Sequence, residues 1–168
     1  MRVFVTGTGR MGSLTFAKAC EHVHGFTAAH ESLRGEQLLD PVYPDNHIEI
    51  GPHLVWIIPD LLYRYPRAKW FVLTRDRAAV VRSIAQRPSL PGWSRLAFNR
   101  TEVPSPDAAA RFVDFVEGAL HGMLPEATWL RTPVDQVDWE DFLFDLRATA
   151  DPVALQVLQT VHNAGGAA

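Results

Sequence analysis

Apolar and polar positions along this chain fall into short runs of two periods that take turns. Val3 to Thr6 is a β-branched and aromatic run that stops at Gly7, and Leu14, Phe16, Ala17, Ala19 and Cys20 follow at roughly helical spacing. The pattern predicts strand, glycine turn, helix. Phe26 to His30 predicts a second strand, ending in the polar pair His30 and Glu31. Ser32 to Asn46, with Gly35, Pro41 and Pro44, predicts a loop holding one turn of helix around Gln37 to Leu39. His47 to Ile50 predicts a short strand. His53 to Tyr65 is apolar nearly all round, as in a buried helix bent or restarted at Pro59. Lys69 to Thr74 is an unbroken apolar run of the kind buried on both faces of a parallel sheet.

Arg75 and Asp76 close that strand, and Ala78 to Gln86 predicts the helix after it. Arg87 to Pro106 carries four prolines and a glycine and predicts a long connector or lid. Trp93, Arg95, Phe98 and Arg100 on it would either cover an anionic or aromatic substrate or close an irregular loop over the core. Ser105 and Pro106 are an N-cap and first helical position for Asp107 to Leu124, whose core stripe is Phe112, Val113, Val116, Leu120 and Met123. Thr128 to Thr132 predicts a further strand, Asp138 caps a helix through Leu146, and Asp151 with Pro152 opens a last helix that frays at Gly165 and Gly166. Alternating strands and helices imply a single α/β domain over 1–168, in three layers, with a mainly parallel central sheet of four or five strands flanked by helices.

Composition narrows the chemistry. With 47% hydrophobic and 21% charged residues in 168, the balance is that of a soluble packed globule. No apolar stretch approaches the roughly 20 residues of a membrane span, and the glycine turn comes too early for a secretory signal. The one cysteine, Cys20, excludes an internal disulfide framework and fits a reducing, cytoplasmic setting. A net charge of −3 argues against broad nucleic-acid binding but permits a local cationic pocket. Of 16 cationic residues only Lys18 and Lys69 are lysines. The rest are arginines, suited to bidentate recognition of phosphate or sulfate.

Gly7-Thr8-Gly9-Arg10-Met11-Gly12-Ser13 follows the first strand and opens the first helix, so its backbone N–H groups form an anion site. Read as G-x-G-x-x-G it satisfies the dinucleotide fingerprint, with Glu31 near the place of a ribose-binding acid. That leaves an NAD(P)-binding Rossmann-type oxidoreductase as an alternative. As a Walker A loop it fails, because Ser13 stands where the lysine belongs and Leu14 where a hydroxyl belongs. Nor does a G-x-S-x-G elbow occur, and Glu21, His22 and His24 have no spacing suited to a metal.

Arg10, inside the loop, would face the bound anion. Here the chain resembles the family of sulfotransferases that use 3′-phosphoadenosine 5′-phosphosulfate (PAPS), whose first loop is of the type [KR]-S-G-T-T. Arg10 occupies the basic position, Gly12 the glycine and Ser13 the first hydroxyl, while Met11 and Leu14 depart from it. The family also binds the 3′-phosphate with an arginine ending a central strand and a serine eight positions later; Arg75 and Ser83 have that spacing. The resemblance covers residues 2 to 84, and the glycine- and lysine-rich C-terminal motif of larger members has no counterpart.

It implies a P-loop-type fold and metal-independent sulfuryl transfer from PAPS to a hydroxyl or amine of a small-molecule or glycan acceptor. Gly9, Arg10, Met11, Gly12 and Ser13 would hold the 5′-phosphosulfate, and Arg75 with Ser83 the 3′-phosphate. Arg10 would stabilise the leaving phosphate. Family members use a histidine or glutamate as base, and Glu31, then His30, is the expected one here. His47 and Glu49 share one face of their strand and are expected at a solvent-facing polar edge, with acceptor binding as the alternative. A nucleotide-binding module without turnover is the non-enzymatic alternative.

Overall fold

Runs that are apolar at every position become strands covered on both sides. The computed structural model describes residues 1–33, 35–86, 105–131 and 137–162. Five strands, β1 (Arg2–Gly7), β2 (Thr27–His30), β3 (His47–Ile50), β4 (Lys69–Thr74) and β5 (Thr128–Arg131), form one sheet in the order β2-β3-β1-β4-β5. Every pairing is parallel. Among the described residues six α-helices flank the sheet: α1 (Ser13–Cys20), α2 (Ile58–Arg64), α3 (Arg77–Ala85), α4 (Pro106–Met123), α5 (Trp139–Leu146) and α6 (Val153–His162). The expected three-layer α/β architecture is therefore present.

Strand alternation divides β1 between two cores. Val3 and Val5 join Phe16 of α1, Trp139 and Phe142 of α5, and Leu158 of α6 on one face. Phe4 joins Leu61 of α2, Val80 of α3, and Phe112 and Val116 of α4 on the other. The chain steps from β1 towards β2 in one direction and from β3 to β4 to β5 in the other. Right-handed crossovers put the helices of opposite steps on opposite faces. The helices that follow β1 and β4 thus leave on different sides, and a crevice opens at the carboxyl ends of these two neighbours.

The all-round apolar stretch after β3 is two elements, the helix being restarted at Pro59 rather than bent there. A 3-10 turn, Pro52–Trp56, precedes α2, with the break at Ile57. Pro59 lies in the first turn of α2, where a missing N–H leaves no bond unmade, so it starts this helix instead of bending one. Ser105 and Asp138 cap α4 and α5 through their side chains, as expected. Of the connector expected over Arg87 to Pro106, residues 87–104, with Trp93, Arg95, Phe98 and Arg100, lie outside the described residues, as do Thr132, Gly165 and Gly166.

Candidate functional site

β1 delivers the chain to the crevice and then has to turn sharply beneath it. A Cβ on Gly7 would lie 2.3 Å from Met11 Sδ and 2.5 Å from the carbonyl oxygen of Leu73, so only glycine lets the loop lie this close to β4. Gly9, Arg10 and Gly12 all have positive φ, of 82°, 61° and 85°. For glycine this is free, whereas Arg10 carries a strain of about 1 kcal/mol or more. Two bonds hold it there: its Nε donates to Ser83 Oγ at 2.8 Å, and its carbonyl accepts from an Arg75 guanidinium nitrogen at 3.0 Å.

Gly12 is the N-cap of α1 and offers no side-chain cap. The first-turn N–H groups of Ser13, Leu14 and Thr15 thus lie ahead of any intrahelical acceptor, at the positive end of the helix dipole. Met11, expected on the cofactor, turns its side chain inward and is 1% exposed beneath Gly7. Only its backbone is left for an anion.

Arg75 does not pair with its neighbour Asp76. That carboxylate caps α3 by accepting from the Ala79 N–H at 2.8 Å, which leaves Arg75 to cross to the β1 loop. Ser83 stands two turns into α3, and Arg10, Arg75 and Ser83 converge from positions 65 and 73 residues apart. The two arginines expected at separate phosphates are in direct contact here.

His30 and Glu31 reach the same carboxyl edge by way of β2. His30 Nε2 lies 3.0 Å from Ser13 Oγ and so joins the end of β2 to the first turn of α1. Glu31 has a φ of 51°, with its N–H bonded to the Ile50 carbonyl at 3.0 Å. A Cβ on Gly51 would fall 2.4 Å from His53 Nδ1 and 2.9 Å from Glu31 Cγ, so the missing side chain makes room for this ring and the stem of Glu31 together.

His47 and Glu49 correct an expectation. They do share a face, but β3 lies between β2 and β1, and the residues are 7% and 0% exposed instead of facing solvent. Glu49 survives burial because donors surround it: the Ser32 N–H at 2.8 Å, the Ser32 hydroxyl at 2.6 Å and His47 Nε2 at 3.1 Å. Thr27 Oγ1 meets the other nitrogen of His47 at 2.8 Å. His53, absent from the expected site because it began an apolar run, is 4% exposed. Neither of its nitrogens has a hydrogen-bond partner among the described residues, and Glu49 Oε1 stands 3.8 Å from Nε2. Burial keeps the His53 imidazole neutral to lower pH than usual, against the pull of Glu49 and Glu31 and with that of His30. The signal in the sequence was its place four residues past Glu49, just after Gly51 and Pro52.

A cavity of about 420 Å³ opens elsewhere, between the starts of β4 and β5, lined by Lys69, Trp70, Met123, Thr128 and Asp145. Neither glycine loop nor convergent arginines occur there, so its volume does not mark it as the site. No protein-family model matches this chain, and no curated protein is significantly similar to it.

Proposed function

We propose that the protein is a sulfotransferase on a P-loop-type α/β fold, moving a sulfuryl group from PAPS to a hydroxyl or amine without a metal. The observation that carries this is the meeting of Arg10, Arg75 and Ser83 beside an uncapped helix N-terminus. Two guanidinium groups and a row of backbone N–H groups are a site for a polyanion. A phosphosulfate with a second phosphate on the same nucleotide has that charge. Binding would draw Arg10 off Ser83, leaving the serine and Arg75 to the 3′-phosphate and turning Arg10 to the 5′ end.

In that arrangement Arg10 and the N–H groups of the Gly12 to Ser13 turn stabilise the charge that develops on the departing phosphate. Glu31, or His30 through its position beside Ser13, takes the acceptor's proton as the new S–O or S–N bond forms and the bond to phosphate breaks. No Walker lysine or magnesium-binding hydroxyl is available at Ser13 and Leu14, which favours chemistry that runs on arginine alone.

A dinucleotide oxidoreductase is less well supported. Its strand order, 3-2-1, sets the strand bearing the ribose-binding acid beside β1, whereas here β3 intervenes and Glu31 ends an edge strand. Calorimetric titration without added metal, using 3′-phosphoadenosine 5′-phosphate, NADP and ATP, separates the two. We expect the first to bind, and Arg75→Ala to weaken it by about tenfold or more, on the order of 1.4 kcal/mol for a lost charged hydrogen bond. Binding of NADP alone, unaffected by Arg75→Ala, would reject the proposal. Transfer of labelled sulfate from PAPS to phenol, carbohydrate and lipid acceptors then distinguishes an enzyme from a module that only binds.

A further inference from the structure

We propose that Glu31, His53 and Glu49 form one proton-holding unit at the carboxyl edge of the sheet, in which the two carboxylates together govern the charge of the buried His53 ring. The task of Glu31 as base rests on the sulfotransferase function; the unit itself rests on geometry.

Three features build it. Gly51 lacks the Cβ that would push the His53 ring and the Glu31 stem apart. Glu49 clamps both the N–H and the hydroxyl of Ser32, the residue directly after Glu31, and so fixes the left-handed turn from which Glu31 projects. His53 is left between two carboxylates, with Nε2 towards Glu49 at 3.8 Å and Nδ1 on the Glu31 side of Gly51. A buried imidazole without a hydrogen-bond partner is costly, and two acidic neighbours give it a use for both nitrogens once it gains a proton. The charged or titratable groups facing the ring are Glu49, Glu31 and His30. Glu49 already accepts from the Ser32 N–H, the Ser32 hydroxyl and His47, and its Oε1, with one of these bonds, keeps room for a proton on His53 Nε2. A proton on the ring would lie between the two carboxylates, with Nε2 towards Glu49 and Nδ1 on the Glu31 side, so losing either carboxylate should make the cation harder to form.

The test is a proton–carbon NMR titration of the histidine ring in the full chain without nucleotide, with the His53 signal assigned by its loss in His53→Asn. Glu31→Gln removes the charge and keeps the side-chain length, and the remaining spectrum shows whether the fold is kept. We expect it to lower the His53 midpoint by about half a pH unit or more, because one of the two groups favouring the cation has gone. Gly51→Ala, which wedges the ring from the carboxylate, is expected to move it the same way. A midpoint unchanged in Glu31→Gln, or a ring that stays neutral down to about pH 4 in the folded protein, overturns the unit. Calorimetry with 3′-phosphoadenosine 5′-phosphate is scored separately: a shifted His53 midpoint without nucleotide binding refutes the proposed function and keeps the unit, and the opposite result does the reverse.

Discussion

Two small residues decide what the site's large ones can do. Gly7 lets the loop pass over β4, and Gly51 lets His53 and Glu31 share one space. Gly7→Ala sets a methyl group against Met11 and a backbone carbonyl, and we expect a loss of about 2–4 kcal/mol in denaturant unfolding. His53 makes a second prediction, with a sign. Its unfolded ring takes a proton near its ordinary value of 6.5, while the folded ring, kept neutral by burial, takes one only at lower pH. The unfolded state therefore binds the proton first, so stability falls as pH drops below about 6.5 until the folded ring also titrates. Urea midpoints at pH 7 and pH 5 should differ less in His53→Asn than in the parent. That Arg10, Arg75 and Ser83 share one edge was legible at this scale, since a loop after a strand and a residue ending another must meet there, but their direct contact was not. Burial of His47 and Glu49 was not: alternation gives the face of a strand and never its place in the sheet.

Among the elements, hydrophobic anchoring outweighs surface charge by several fold. Phe142 of α5 meets Phe16 and Phe71 edge-on at 5.0 and 4.9 Å and stacks with Trp139 at 5.2 Å. Phe142→Ala should cost about 3–5 kcal/mol, enough to leave little of an ordinary domain's stability. By contrast Arg77 and Asp114 tie α3 to α4 through two bonds of 2.8 Å, yet both are exposed, and their double removal should barely move the melting midpoint. Thermal unfolding of the two variants tests this ranking. Most element boundaries could be read from caps: Ser105, Asp138 and the glycines each do a local job visible in sequence. The restart at Pro59 expected for His53 to Tyr65 is present, but the apolar run gave no sign that the segment before it is a 3-10 turn.

For the whole molecule, the C-terminal helix is fastened where the first helix ends. Val23 bridges Ala150, His24 N–H bonds the Thr149 carbonyl at 2.8 Å, and Asp151 N–H bonds the His22 carbonyl at 3.1 Å. These bonds set α6 against α1, where Ala154 and Leu158 are buried. Ending the chain at Ala150 would uncover that face, and the truncated protein should lose its sharp cooperative melting transition. The strand order has a temporal meaning as well. β1 leaves the ribosome first but pairs with neither β2 nor any earlier strand; its partners start at residues 47 and 69. Until β3 has been made β1 has no ladder to join, and its other side stays open until β4 follows, so the sheet closes late around a strand made early.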